Sequence, residues 1–296
     1  MSDTLVVNEI YLSLQGESTF AGLPCVFVRL TACNLRCSYC DTAYAFKEGK
    51  KMSLADACAE VLRLAQPFRS TSLSLAPGFS PVSKGREDAA VSTASRTGKT
   101  AEAVEIAGDS NTGLKPAVNE IGTEQTRRLP LVELTGGEPL LQLNVLPLMK
   151  SLCDEGFTVL VETSGALDIS KVDPRVRRIM DLKCPSSGEV ERNLMENISQ
   201  LKATDEIKFV IGTVEDYEWA KQKIAVQKLD EVCPLLMSWV HPLRPEQQEQ
   251  SLKRVPAGQT PITRQALVER IIADALPVRF QAQLHKIIWP PEQRGV

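Results

Sequence analysis

The chain has 296 residues, 43% of them hydrophobic, which is enough for one large domain or two small ones with a sizeable core. Its net charge of −3 comes from mixed charges without a basic patch, so we expect no nucleic-acid partner. No apolar run approaches the ~20 residues of a membrane span and no signal-peptide pattern is present, so we expect no membrane association and a reducing, cytoplasmic location.

The first two predicted strands are connected by a polar loop. Residues 5–14 alternate apolar and polar side chains, and a second apolar strand covers residues 25–30. The loop begins with QGES, residues 15–18, whose glycine lets the backbone approach a ligand, although an ordinary polar turn has the same composition. Arg29 lies inside the second strand, where an unpaired charge is costly. Its guanidinium therefore either binds an anion in a site or extends to water.

Three cysteines follow the second strand in the spacing C-x3-C-x2-C, namely Cys33, Cys37 and Cys40. Cysteine thiolates are the usual ligands of [4Fe–4S] clusters, and three of them leave the fourth iron open to a cofactor. A structural zinc site is the alternative, but such sites usually have four ligands in two pairs, whereas the other five cysteines are single. Eight cysteines in this length predict no disulfide framework.

A turn, a helix and a low-complexity segment come next. Thr42 can ligate a hard cation such as Mg²⁺, although threonine alone is more often an ordinary turn residue. A capping box at Ser53 predicts a helix that ends near Gln66. Of the 62 residues in 67–128, 33 are Ser, Thr, Ala, Gly or Pro. The segment therefore has too few large apolar side chains to offset the entropy cost of ordering it. We expect a flexible insertion there.

Strands and helices alternate again from residue 129. A strand over residues 131–135 ends in Gly136, Gly137 and Glu138, which present backbone groups and a carboxylate together. The further predicted elements are a helix over 143–155, a strand over 157–161 that ends in ETSG, a strand over 178–183 that ends in KCPSSG, a helix over 190–201, a strand over 206–211, a helix over 214–228, a strand over 234–240, a helix over 263–275 and a strand over 277–287.

This alternation predicts a parallel sheet with right-handed crossovers. QGES, the cysteines, TGGEP, ETSG and KCPSSG each follow a strand, and parallel sheets bind ligands at that edge. We therefore expect these five stretches to meet at one edge. In the last strand, Arg279, Gln281, Gln283 and His285 alternate with apolar residues and would line the lumen of a barrel.

The stretches QGES, CNLRCSYCDT, LTGGEPLLQ, ETSG, DLKCPSSGE and QAQLHKIIWPP together resemble the 7-carboxy-7-deazaguanine synthase family of the radical S-adenosylmethionine (SAM) superfamily. The resemblance covers residues 5–66 and 129–296. It implies an α/β fold, an incomplete (β/α) barrel with a parallel sheet and an active site at the C-terminal strand edge. A single radical SAM domain would comprise residues 1–66 and 129–296.

The resemblance also implies an activity, a carbon–nitrogen lyase reaction in queuosine and 7-deazapurine biosynthesis. The family converts 6-carboxy-5,6,7,8-tetrahydropterin to 7-carboxy-7-deazaguanine with loss of ammonia. A [4Fe–4S] cluster and SAM would generate a 5′-deoxyadenosyl radical that abstracts hydrogen from the pterin, with SAM used catalytically and Mg²⁺ required. Family members are homodimers, and we expect a flavodoxin- or ferredoxin-type electron donor.

Site residues follow from the matching motifs. Cys33, Cys37 and Cys40 would hold the cluster and Thr42 the Mg²⁺, and no catalytic side chain is assigned because the radical forms on the cofactor. The substrate contacts would be Leu14, Gln15, Gly16, Arg29 and Thr135. The SAM contacts would be Tyr39, Cys40, Asp41, Gly137, Glu138, Glu162, Thr163, Ser164, Lys183, Cys184, Pro185 and Ser186.

Two other functions share some of these features. A radical SAM activase, which generates a glycyl radical on a partner protein, has the same cluster and GGE turn but needs an open rim. A non-catalytic zinc-binding module would be colourless after anaerobic purification, whereas an iron–sulfur enzyme would be brown.

Overall fold

A computed structural model describes residues 3–70 and 129–296. Nine strands of this part form one sheet. They are β1 (Thr4–Leu14), β2 (Pro24–Leu30), β3 (Lys50–Ser53), β4 (Leu131–Gly136), β5 (Val159–Thr163), β6 (Arg177–Asp181), β7 (Glu206–Ile211), β8 (Leu235–Trp239) and β9 (Arg279–Gln281). The α-helices are α1 (Leu54–Ser70), α2 (Val145–Asp154), α3 (Val214–Gln227), α4 (Arg264–Ala273) and α5 (His285–Ile288).

The sheet is open and mostly parallel. Its strand order is β3-β1-β2-β4-β5-β6-β7-β8-β9, so β3 and β9 are the two edges. The seven strands in the order β2-β4-β5-β6-β7-β8-β9 are all parallel to their neighbours. Strand β1 is antiparallel to both β2 and β3. The predicted α/β fold with an incomplete barrel is confirmed for the described residues.

The direction of β1 corrects one prediction about the sheet edge. Only residues 15–23 connect β1 to β2, and so short a connection joins antiparallel strands, since a parallel crossover needs a dozen residues or more. Leu14 therefore pairs with Pro24, the first residue of β2. The QGES loop consequently lies at the edge where the parallel strands begin, and not at the edge where the other four stretches are found.

The sheet has apolar residues on both faces. The larger core lies between the sheet and the helices, with Val61 of α1, Leu148 of α2 and Ile224 of α3 buried against it. A smaller apolar cluster occupies the opposite, inner face; it consists of Cys25, Phe27, Leu131, Leu160 and Ile179. Because side chains alternate along a strand, β2, β4, β5 and β6 contribute to both clusters, and the inner cluster forms an apolar base inside the open barrel.

Two predicted elements differ from the structure. The region predicted as a helix over 190–201 forms two 3-10 segments, Val190–Arg192 and Met195–Gln200. The Asn193 amide donates to the carbonyls of Lys183 and Val190, which draws the backbone out of a helical path. The strand predicted over 277–287 ends at Gln281. Beyond it, the Leu284 N–H donates to the Gly16 carbonyl and not to a neighbouring strand, and α5 begins at His285.

The segment predicted to be a flexible insertion can be assessed only at its start. Helix α1 continues to Ser70, past the predicted end at Gln66, and includes Pro67. Residues 71–128 lie outside the described residues, so their separation from the radical SAM domain stays a prediction. Among the helices of the described part, none is both long and apolar enough to cross a bilayer.

Candidate active site

A cavity of about 230 Å³ opens on the inner face of the sheet. It contains most of the residues that the sequence predicts for the site, including the three cysteines. Those that line it are Leu14, Gln15, Gly16, Arg29, Cys33, Cys37, Tyr39, Cys40, Asp41, Thr42, Thr135, Gly137, Glu162, Thr163, Ser164 and Lys183. Glu138, Cys184, Pro185 and Ser186 do not line it.

The cysteine loop is fixed by hydrogen bonds to a segment far away in the sequence. Ser38 donates its backbone N–H to the Ser187 carbonyl at 3.1 Å and its hydroxyl to the Ser186 carbonyl at 2.6 Å. The Arg36 N–H donates to the Glu189 carboxylate at 2.7 Å. These bonds orient a short loop without regular secondary structure, so that its thiols point into the cavity.

The three thiols fit a cluster better than a single ion. Burial raises the pKa of all three, that of Cys37 to about 11 and that of Cys40 to about 12, so thiolates there need a compensating metal charge. Within the residues that the structure describes, no three His, Cys, Asp or Glu side chains are placed to hold one metal ion. In a cubane each thiolate binds a different iron. Three thiols of one loop that line the same cavity therefore fit a [4Fe–4S] cluster with one iron left open.

The cysteine loop packs tightly against Gly137 and carries polar atoms without partners. Gly137 packs against the backbone of Ala32 and Cys33 so closely that any Cβ would collide with the Ala32 carbonyl. In the same loop, both polar atoms of the Asn34 amide are buried without a hydrogen-bond partner. Buried polar atoms normally have hydrogen-bond partners, so the unpartnered Asn34 amide agrees with a bound group that would supply them.

Glu138 has a different role from the predicted one. Its side chain is fully buried and accepts four hydrogen bonds, from the Leu140 N–H, the Thr163 hydroxyl and both the N–H and the hydroxyl of Ser164. Protein donors therefore occupy both oxygens of Glu138, so its predicted contact with SAM stays a prediction that this arrangement does not support. Glu138 instead joins the TGGEP and ETSG turns and positions Thr163 and Ser164 at the cavity.

The KCPSSG stretch contributes only its lysine to the cavity. Lys183 lines it and pairs with Asp181 at 2.6 Å, and Asp181 raises its pKa although burial alone would lower it. Cys184 and Ser186 are buried, and Ser186 bonds to Asp216 of α3 through its N–H at 2.7 Å. The SAM contacts predicted for Cys184, Pro185 and Ser186 stay a prediction, and in this structure the Ser186 carbonyl instead accepts from Ser38 of the cysteine loop.

Arg29 lies inside the cavity and does not extend to water. Its Nε donates to Glu9 at 2.8 Å and one terminal nitrogen donates to the Tyr11 hydroxyl at 2.7 Å. Tyr44 contributes a ring face 5.9 Å from the guanidinium carbon. Of the two alternatives for Arg29, the structure supports a guanidinium held rigidly in a site, where a bound anion would meet a pre-oriented cation.

Asp41 and Thr42 lie beside Lys286 at the rim of the cavity. The Thr42 hydroxyl donates to Asp41 at 2.9 Å, and Lys286 forms an ion pair with the same carboxylate. Burial alone would raise the pKa of Asp41, but Lys286 lowers it below its usual range. Asp41 is therefore ionised, and the two oxygen groups are suitable for a hard cation.

The sequence analysis missed a buried charge network around Lys208 of β7. Lys208 forms ion pairs with Glu162 and, at 3.1 Å, with Glu17 of the QGES loop. Burial alone would raise the pKa of Glu17, but Lys208 and the neighbouring polar groups lower it to about 2. A lysine inside the apolar stretch EIKFVI was the available signal, and it is the same signal that identified Arg29.

The QGES loop closes the open barrel from below. Thr19 donates its N–H to Glu206, the first residue of β7, at 3.1 Å, and Ser18 exchanges two hydrogen bonds with Gln281 of β9. Gln283 donates to Glu17 at 2.8 Å, and His285 lines the cavity. As predicted, Gln283 and His285 line the cavity, whereas Gln281 is buried against Ser18 without lining it and Arg279 is exposed.

Comparison with known proteins identifies the family. The chain is 36% identical over 292 residues to the 7-carboxy-7-deazaguanine synthase of Koribacter versatilis, and the alignment covers 98% of this chain and 99% of the relative. The chain belongs to the 7-carboxy-7-deazaguanine synthase family. A second family member, from Chlorobaculum tepidum, is 34% identical over 295 residues, which cover 99% of this chain and 97% of that protein.

The fold agrees with membership of the 7-carboxy-7-deazaguanine synthase family. The crystal structure of QueE from Escherichia coli superposes with a TM-score of 0.55 at 19% identity, and the match covers 94% of each chain. This likeness shows a shared fold, including the open sheet. No protein-family model matches the chain. The nearly full-length matches to named family members confirm the family resemblance predicted from the sequence motifs.

Proposed function

We propose that this chain is a radical SAM lyase that converts 6-carboxy-5,6,7,8-tetrahydropterin to 7-carboxy-7-deazaguanine with release of ammonia, in queuosine and 7-deazapurine biosynthesis. The observation that carries this proposal is family membership, because relatives with the name of this activity match nearly the whole chain. The cavity supports it, since a pocket with buried charges and a few oriented polar groups suits a small, polar heterocycle.

The cofactor would occupy the rim of the cavity. Cys33, Cys37 and Cys40 would hold the [4Fe–4S] cluster, and Gly137, with the ETSG turn that Glu138 orients, would bind SAM beside it. When bound, the cluster and SAM supply the one-electron chemistry that removes a hydrogen atom from the substrate. The protein places the substrate next to this rim and excludes water from it.

The substrate carboxylate would bind between Arg29 and Thr42. The Arg29 guanidinium is already oriented by Glu9 and Tyr11, so binding an anion there requires little ordering. Thr42 and the substrate carboxylate would share Mg²⁺, and Lys286 keeps Asp41 ionised beside it. The bicyclic ring would then extend from Arg29 toward the apolar base of the barrel.

We also propose a cytoplasmic homodimer that receives electrons from a flavodoxin- or ferredoxin-type protein. All eight cysteines are free thiols, which supports a reducing compartment. Ile287 and Ile288 of α5 are 61% and 52% exposed next to the site, an apolar surface suited to a second copy. One-electron chemistry requires an external reductant, which supports the proposal of a flavodoxin- or ferredoxin-type electron donor.

The test is anaerobic turnover. Reconstituted protein with SAM, Mg²⁺ and a chemical reductant is expected to form 7-carboxy-7-deazaguanine and ammonia from the carboxylated tetrahydropterin, detected by mass spectrometry. SAM should be consumed in far less than equimolar amounts. Cleavage of SAM without any change in the pterin would contradict the substrate assignment.

Replacing Arg29 with lysine is expected to weaken substrate binding about 10- to 100-fold, because hydrogen bonds to charged groups contribute ~1.5–3 kcal/mol and lysine cannot reproduce the planar contact. Anaerobic titration of the pterin measures the Kd, and the iron content should stay at the wild-type value. Arg279→Lys, on the exposed part of β9, is the matched control and should bind normally. An unchanged Kd for Arg29→Lys and Arg29→Ala would refute the role.

A further inference from the structure

A buried carboxyl group, Glu133 of β4, lines the cavity on the side away from the cysteines. In the parallel register, Glu133 is opposite Phe27 and Thr135 is opposite Arg29. Glu133 is therefore two strand residues from the level of Arg29, roughly 6.6 Å along the sheet. That distance is comparable with the width of a bicyclic heterocycle. Only 3% of Glu133 is exposed.

Gln15 fixes the orientation of this carboxyl group. The Gln15 side-chain oxygen accepts the N–H of Glu17 at 3.0 Å, so its amide nitrogen points the other way and donates to Oε2 of Glu133. Gln15 is itself only 3% exposed. Oε2 of Glu133 thus accepts one hydrogen bond from Gln15, and the second lone pair of Oε2 and the whole of Oε1 are available to a ligand in the cavity.

The neighbouring charges leave Glu133 without a cation. Lys208 is shared by Glu17 and Glu162, and in the part of the chain that the structure describes Glu133 forms no salt bridge. Burial, reinforced by Glu162, raises the pKa of Glu133 well above its usual value. Burial and the absence of a paired cation therefore favour the protonated form of Glu133, and a neutral carboxyl group can donate as well as accept a hydrogen bond.

We propose that Glu133, positioned by Gln15, recognises the lactam edge of the pyrimidinone ring of the substrate. In a lactam the ring carbonyl accepts a hydrogen bond and the adjacent ring N–H donates one. A neutral carboxyl group offers the complementary donor and acceptor, whereas an ionised one would repel the carbonyl oxygen. Glu133 is then a specificity-determining residue, and this inference rests on the proposed function, which supplies the pterin.

The test compares three variants by anaerobic calorimetric titration with 6-carboxy-5,6,7,8-tetrahydropterin in the presence of SAM. Glu133→Gln offers an amide donor and an acceptor in the same shape and should bind within about threefold of wild type. Glu133→Leu has neither and should bind about 10- to 100-fold more weakly, because it leaves buried polar atoms of the ring unpaired. Glu133→Met serves the same purpose if the leucine variant does not fold.

The matched control is Glu206→Gln, which alters a carboxyl group of similar burial. Glu206 is 2% exposed, accepts hydrogen bonds from Thr19 and does not line the cavity, so its variant should keep the wild-type Kd. Iron content and SAM binding are measured for every variant, so that a lost cluster is not mistaken for lost recognition.

Two results would overturn the inference. A Glu133→Gln variant that binds as weakly as the apolar variants would show that the ionised form is needed, and apolar variants with the wild-type Kd would show that Glu133 has only a structural role. Failure of the proposed function looks different, because wild type itself would then neither bind nor convert the pterin.

Discussion

Replacing Cys37 with alanine is expected to abolish cluster assembly and turnover together. A cubane held by three thiolates would retain only two protein ligands, and the freed cavity wall offers no substitute, since no other cysteine lines it apart from Cys33 and Cys40 among the described residues. Iron should fall from about four atoms per chain to well below that value. Iron and sulfide analysis, visible absorption and the turnover assay measure the effect.

Cys58→Ala is the matched control for this variant. Cys58 is partly buried in α1, is also a free thiol and does not line the cavity. It should retain iron, colour and activity at wild-type values. A stable, active cubane in Cys37→Ala would refute the ligand assignment, and a colourless wild-type protein that contains zinc would refute both enzyme hypotheses.

Local sequence signals were sufficient for the rim of the site. The cysteine loop, TGGEP and ETSG each follow a strand of a parallel run, so their meeting in one cavity follows from the geometry of the fold. The charge in the apolar strand β2 was sufficient to identify Arg29. The same reasoning applied to VELTG and EIKFVI would have identified Glu133 and Lys208, so these two were predictable and were missed.

Long-range pairing was beyond what the sequence could predict. Glu138 was expected to face a ligand, but its partners Thr163 and Ser164 lie on the next strand, and only the folded chain shows that they satisfy both of its oxygens. The edge at which the QGES loop lies was, by contrast, predictable. The predicted strands over 5–14 and 25–30 already leave a connection too short for a parallel crossover, so the first two strands had to be antiparallel.

The second large effect is expected on stability, when Lys208 is replaced with methionine. The side chain is 6% exposed and pairs with Glu17 and Glu162, so methionine keeps the length but leaves two partly buried carboxylates without a cation. Removing one partner of a buried ion pair lowers the free energy of unfolding by ~3–5 kcal/mol. Urea unfolding of the reduced, iron-free protein measures the free energy of unfolding, independently of the cluster.

Two further variants test whether the loss of stability comes from the ion pairs of Lys208 and not from the loss of any lysine. Lys221→Met removes a pair with Asp274 whose lysine is 39% exposed, and should change the free energy of unfolding far less than Lys208→Met, because solvent screens an exposed pair. Lys208→Met combined with Glu162→Gln should recover part of the lost stability, because one of the two stranded charges is then neutral. If Lys208→Met were as stable as wild type, the ion pairs of Lys208 with Glu17 and Glu162 would contribute nothing to the free energy of unfolding, and the buried charge network would have no structural role.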